Sequence, residues 1–104
     1  MTRDRNRLPA FLKRCFWDVP FRQLDLQQVS AFVIERILEY GDPQAVRWMQ
    51  DRFAPEAIRE TVKRARGLSA RSANFWARHY RVERRHVRCL STSFQRRRAQ
   101  HWFV

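Results

Sequence analysis

Arginine runs and aromatic rings share the C-terminal end of this chain. Arg84-Arg85, Arg88 and Arg96-Arg97-Arg98 are interleaved with His86, Phe94, His101, Trp102 and Phe103. Guanidinium groups fork onto phosphates and rings stack on bases, so this mixture suits nucleic acid. The same residue types anchor protein interfaces. In a third reading, Leu90, Phe94 and Trp102 close a helical core as a last helix. Lys63, Arg64, Arg66, Arg71 and Arg78 precede the tail and suit contacts to a phosphate backbone. Residues 61–104 hold 12 basic residues and one acid, Glu83, whereas residues 25–60 hold 4 basic and 7 acidic ones. That asymmetry points to a polyanionic or acidic partner. The competing reading is a solvated face in an arginine-favouring composition, since only Lys13 and Lys63 of the 22 basic residues are lysine.

Metal and catalytic chemistry find little support. His86 and Cys89 have a ligand-like spacing, with His79, His101 and Cys15 elsewhere, but a closed zinc site usually draws four ligands from CxxC or HxxxH pairs. Neither pair occurs. The glycines, Gly41 and Gly67, read as helix stops and not as a phosphate loop. Glu35 with Glu39, and Glu56 with Glu60, sit at i,i+4 on faces that also carry Arg36, Arg59, Lys63 and Arg64. No serine or cysteine has an evident histidine-plus-acid support. The chain therefore reads as non-enzymatic, with no catalytic, cofactor-binding or metal-ligating residue assigned.

The elements that must position the basic residues are helices. Leu26, Val29, Val33, Ile37 and Tyr40 form one stripe, widened by Phe32, Ile34 and Leu38, which predicts a helix over 26–40. Asp25 suits its N-cap with Gln28 as capping-box partner. Gly41 ends it, and both glycines are expected to take positive φ. Asp42-Pro43 opens a helix over 43–53 carrying Val46, Met49 and Phe53, with Trp48 nearby. Ala54-Pro55 restarts the chain into 55–66, and Ser69 caps a fourth helix over 70–80 with Ala73, Phe75, Trp76 and Tyr80. A shorter helix fits Leu8 to Trp17. No period-two strand and no internal repeat is present. The fold expected is all-α: a compact bundle of four to five short helices with helix-turn-helix dimensions and a basic C-terminal segment. Residues 1–15 read as a basic extension, 16–83 as the helical domain and 84–104 as the basic, aromatic segment. Phe16, Trp17, Val33, Ile37, Tyr40, Phe75 and Trp76 are the expected core.

A chain of 104 residues is enough for one domain with a modest core. No run of about 18 apolar residues offers a membrane span. The polar, basic stretch Met1–Arg7 does not read as a signal peptide. Cys15 and Cys89 are expected as free thiols in a reducing cytoplasm.

Phe16-Trp17-Asp18, then Glu35-Arg36-Ile37-Leu38-Glu39-Tyr40-Gly41-Asp42, then Leu68-Ser69 with Asn74-Phe75-Trp76-Ala77 and Tyr80 follow one another in a distinctive order. Together they resemble a family of small prokaryotic helical proteins of unknown function with FWD, ERxLEYGD and LSxxxxNFWAxxY blocks. The resemblance runs from about Phe16 to Tyr80, and more loosely through Cys89-Leu90 to Trp102. It implies a helical, helix-turn-helix-like fold and a genomic place beside a nucleotidyltransferase-fold toxin of the abortive-infection type. The function it implies is an antitoxin-like partner that binds the toxin, with no cofactor. The alternative is a DNA-binding transcriptional regulator, including an autoregulator, whose partner is double-stranded DNA. A basic ribosome- or RNA-associated protein is a third class. A C₂ dimer would match palindromic DNA, although no heptad seam demands one. In either main reading Lys63, Arg64, Arg66, Arg71, Arg78, Arg84, Arg85, Arg88, Arg96, Arg97, Arg98 and Trp102 are the candidate contact residues.

Overall fold

A computed structural model describes residues 7–91. The all-α expectation holds among them: four α-helices and four short 3₁₀ helices, with no strand. The α-helices are α1 (Leu26–Tyr40), α2 (Pro43–Arg52), α3 (Pro55–Arg64) and α4 (Ala70–His79). The 3₁₀ turns cover Ala10–Phe16, Phe21–Gln23, Arg84–His86 and Arg88–Leu90. The chain divides into two compact units, Met1–Ala54 and Pro55–Val104. The boundary is the Ala54-Pro55 restart, inside the segment expected to be a single helical domain.

In the first unit the 3₁₀ helix Ala10–Phe16 packs on α1, and α1 packs on α2. Leu8, Leu12, Cys15, Phe16, Leu26, Val33, Ile34, Ile37, Leu38, Ala45 and Met49 are buried. Leu8, Leu12 and Cys15 come from the stretch expected to be an extension, which supplies core side chains instead. The first turn of α1 hangs on the Asp25 carbonyl, which accepts from the Gln28 and Val29 amides at 3.0 Å each. The helix then kinks at Val29 (φ −122°, ψ 28°). Asp42 caps α2 as its spacing implies, its Oδ1 accepting the Ala45 amide at 2.9 Å. Its other oxygen meets Arg14 Nη2 at 3.0 Å, tying the start of α2 to the 3₁₀ helix.

In the second unit α3 and α4 pack together, and the 3₁₀ helix Arg88–Leu90 packs on both. The core is Ile58, Thr61, Val62, Ala65, Leu68, Ala73, Trp76, Ala77, Val82, Val87 and Cys89. Thr61 returns its hydroxyl to the Ala57 carbonyl at 3.0 Å, and the Cys89 thiol donates to the Ala65 carbonyl at 3.0 Å. Ser69 caps α4 by accepting the Ser72 amide at 3.1 Å. The helix ends in a Schellman turn: the Val82 amide donates to Ala77 O at 2.8 Å and the Arg81 amide to Arg78 O at 3.3 Å. Val82 then sits in the core.

The backbone revises the expectation for glycine. Neither Gly41 nor Gly67 has positive φ; among the described residues the left-handed one is Arg81, at φ 57°. Gly41 is required for room instead. A Cβ there would lie 2.6 Å from Ile37 O and 2.9 Å from Ile37 Cγ2, against a residue with no exposure.

Two substitutions test these backbone assignments. Arg81→Gly relieves a left-handed β-carbon and should raise unfolding stability by about 1 kcal/mol. A lowered melting temperature would reject the strain. Gly41→Ala should cost about 1–3 kcal/mol through overpacking against Ile37. A denaturation midpoint equal to that of the parent chain would show that the contact relaxes freely.

Candidate nucleic-acid interface

Helix α4 is two-faced. Ala73, Trp76 and Ala77 turn into the core, and Tyr80, half-buried, continues that stripe with its ring stacked on Trp76 at 5.9 Å. The opposite stripe is Arg71, Asn74, Phe75, Arg78 and His79, at i, i+3, i+4, i+7 and i+8. These five residues line a shallow open groove of about 540 Å³. Phe75 is 59% exposed, edge-on to Trp76 at 4.9 Å and stacked with His79 at 6.2 Å. Arg84 Nη1 reaches over from its 3₁₀ turn and donates to Asn74 Oδ1 at 3.3 Å.

A second groove, about 330 Å³, lies between α3 and the 84–91 segment, with Lys63, Arg64, Arg85, His86 and Arg88 among its lining residues. Here charge is partly compensated. Glu60 holds Lys63 at 3.6 Å and Arg64 at 3.2 Å, and Glu83 holds Arg85 at 2.6 Å. Such exposed pairs are labile and exchange readily for a phosphate. Arg66, Arg71, Arg78 and Arg88 are exposed and meet no carboxylate among the described residues. Eight of the candidate contact residues, Lys63, Arg64, Arg66, Arg71, Arg78, Arg84, Arg85 and Arg88, thus belong to the second unit. Arg96, Arg97, Arg98 and Trp102 lie outside the described residues, as does most of the proposed last helix. Over the whole sequence, Pro55–Val104 carries 13 basic and 3 acidic residues, a net +10, against +2 for Met1–Ala54.

The aromatic assignment needs correction at three positions. Phe16, Val33, Ile37 and Trp76 are buried, but Trp17 is 63%, Tyr40 46% and Phe75 59% exposed. Trp17 and Tyr40 meet edge to face at 4.7 Å on the surface of the first unit. Arg36 lies against both, its guanidinium carbon 4.9 Å from the Trp17 ring, 5.2 Å from Phe32 and 5.6 Å from Tyr40, and it pairs with Asp18. The rings serve a cation rather than a core. Phe75 lies about 100° around the helix from Trp76, which turns it out when Trp76 turns in. Charge alone does not single out Asn74, Phe75 and His79; their helical spacing with Arg71 and Arg78 is the sequence signal that finds them.

Both cysteines are buried thiols outside any disulfide. Burial pushes the Cys15 thiol up, and the Asp42 carboxylate adds to the rise, so it stays protonated and poorly nucleophilic near neutral pH. No group of three or more His, Cys, Asp and Glu side chains that could hold a metal ion occurs among the described residues. None of the described helices is long and apolar enough to cross a membrane.

By structure, then, this is an all-helical protein with a strongly basic second unit. By sequence it belongs to the family of unknown function DUF6922, whose model matches residues 11–62, half of the chain. The match covers α1, α2 and most of α3, and ends before α4. No curated protein and no solved structure matches the chain.

The split between the two rings of the Phe75-Trp76 pair is testable by mutation. Trp76→Ala should cost about 3–5 kcal/mol and expose the Cys89 thiol to labelling. Phe75→Ala should change stability by less than about 1 kcal/mol, as expected of an exposed side chain. Equal losses from the two would place Phe75 in the core after all.

Proposed function

We propose that the chain is a DNA-binding protein whose second unit presents α4 to a groove of the duplex. The observation that supports this reading is the outward stripe Arg71, Asn74, Phe75, Arg78 and His79, free of carboxylates and set on a helix whose other face is anchored in a core. Arginine, asparagine and an apolar ring are the side-chain types that match base edges and the thymine methyl in the major groove. The uncompensated Arg66 and Arg88, with Lys63, Arg64 and Arg85 in the neighbouring groove, would hold the phosphate backbone. α3 and α4, joined by five residues, have the dimensions of a helix-turn-helix pair. A transcriptional regulator working in a reducing cytoplasm fits this arrangement and needs no chemistry from the chain.

A protein partner is the second reading, and a different surface favours it. The Trp17–Tyr40 pair, braced by Arg36, is exposed on the first unit and has the residue types of an interface anchor. An antitoxin-like protein would bind its toxin there and leave the second unit for DNA.

Titration of labelled duplex with the full chain at several salt concentrations tests the DNA reading. Affinity should fall steeply between about 50 and 200 mM salt through counterion release. Arg66→Ala should flatten the slope of log affinity against log salt by about 1. Binding that ignores both salt and Arg66, or no duplex binding at all, would remove the proposal. Retention of a stoichiometric protein partner at high salt, lost on Trp17→Ala, would support the second reading.

A further inference from the structure

We infer that Asn74 is a base-reading residue selecting an A·T pair beside a G·C pair, with Arg84 as the positioning residue that sets its amide. This rests on the DNA-binding reading and extends it from affinity to sequence preference.

Arginine carries donors and no acceptor, so the Asn74 atom facing Arg84 Nη1 at 3.3 Å must be the amide oxygen. That contact fixes which way the amide is turned. Oδ1 keeps a second lone pair, and Nδ2 keeps two donor hydrogens. One acceptor and one donor side by side match the N6 donor and N7 acceptor of adenine in the major groove. An asparagine free to flip would lose part of this discrimination, because each orientation presents a different pattern. The Arg84–Asn74 contact therefore does more than add charge.

Position on the helix supplies the neighbouring base pair. Arg71 lies three residues before Asn74 on the same stripe. At about 1.5 Å per residue the separation is roughly 4.5 Å along the axis, near the 3.4 Å stacking distance of base pairs. Arginine pairs bidentately with O6 and N7 of guanine. Phe75, exposed beside Asn74, offers an apolar ring to the thymine methyl of an A·T pair. The stripe has no carboxylate to accept from the cytosine amino group, so its chemistry favours purines on the strand it reads.

Selection from a randomised duplex library with the full chain, followed by titration of the enriched duplex, tests the inference. Enriched duplexes should share an A·T pair next to a G·C pair. Replacing that A·T pair should weaken binding by the parent chain about tenfold or more. For Asn74→Ala the original and replaced duplexes should bind alike. Arg84→Ala should narrow the same ratio, whereas a residue that only held a phosphate would weaken both duplexes equally. Asn74→Asp, which carries acceptors alone, should move the preference from adenine to cytosine, a gain that misfolding cannot imitate. An enriched motif whose discrimination survives Asn74→Ala, or salt-dependent binding with no motif, would overturn the inference and leave the DNA-binding reading standing. Absence of duplex binding would overturn both.

Discussion

Burial of the Trp76 face of α4 is the constraint on which the second unit depends. Ala73 and Ala77 are small enough for the helix to lie close to its neighbours, and Trp76 supplies the large apolar surface between them. Once that face is committed, the rotation of α4 about its axis is set, and the stripe Arg71, Asn74, Phe75 and Arg78 has nowhere to go but solvent. A Schellman turn keeps the end of the helix in register. Its cost is a left-handed arginine, Arg81, whose carbonyl accepts an N–H from Arg59 at 3.4 Å. The strained turn returns Val82 to the core and so brings the 84–91 segment back along α3 and α4.

The two units differ in charge. The first has nearly balanced charge and a well-filled core, and its surface singularity is an arginine among three rings. The second carries most of the positive excess. The DUF6922 match covers the first unit from Phe11 onward and stops within α3, so family membership speaks for the scaffold and not for the basic α4 face. Because Glu60 and Glu83 already engage Lys63, Arg64 and Arg85, a simple charge count overstates the free cationic surface of the second unit. Among the described candidate contact residues, Arg66, Arg71, Arg78, Arg84 and Arg88 meet no carboxylate.

Helix positions were legible because they are local. Asp42-Pro43, Ala54-Pro55 and Ser69 act on amides three residues away or on their own φ, and α1 falls at Leu26–Tyr40 as the stripe implies. The candidate site was half legible. Its arginines could be named from charge, but Asn74 and Phe75 could not, because hydrophobicity placed Phe75 with Trp76 although the two point about 100° apart. Trp17 and Tyr40 misled for a related reason. An aromatic residue on an apolar stripe is core by pattern, yet Arg36 offers these rings a cation at the surface.

What the sequence by itself determined is the all-α character, the caps and breaks, and the concentration of arginine after residue 60. Each follows from chain-local physics: backbone dihedrals, first-turn hydrogen bonds and composition. Only the tertiary structure decided which face of α4 is exposed, that the left-handed residue is Arg81 and neither glycine, and that Arg84 meets Asn74. The exposed face of α4 and the Arg84–Asn74 contact follow from packing between separate elements, and the left-handed Arg81 from the turn that returns Val82 to the core. They were settled by which apolar surfaces could be buried together.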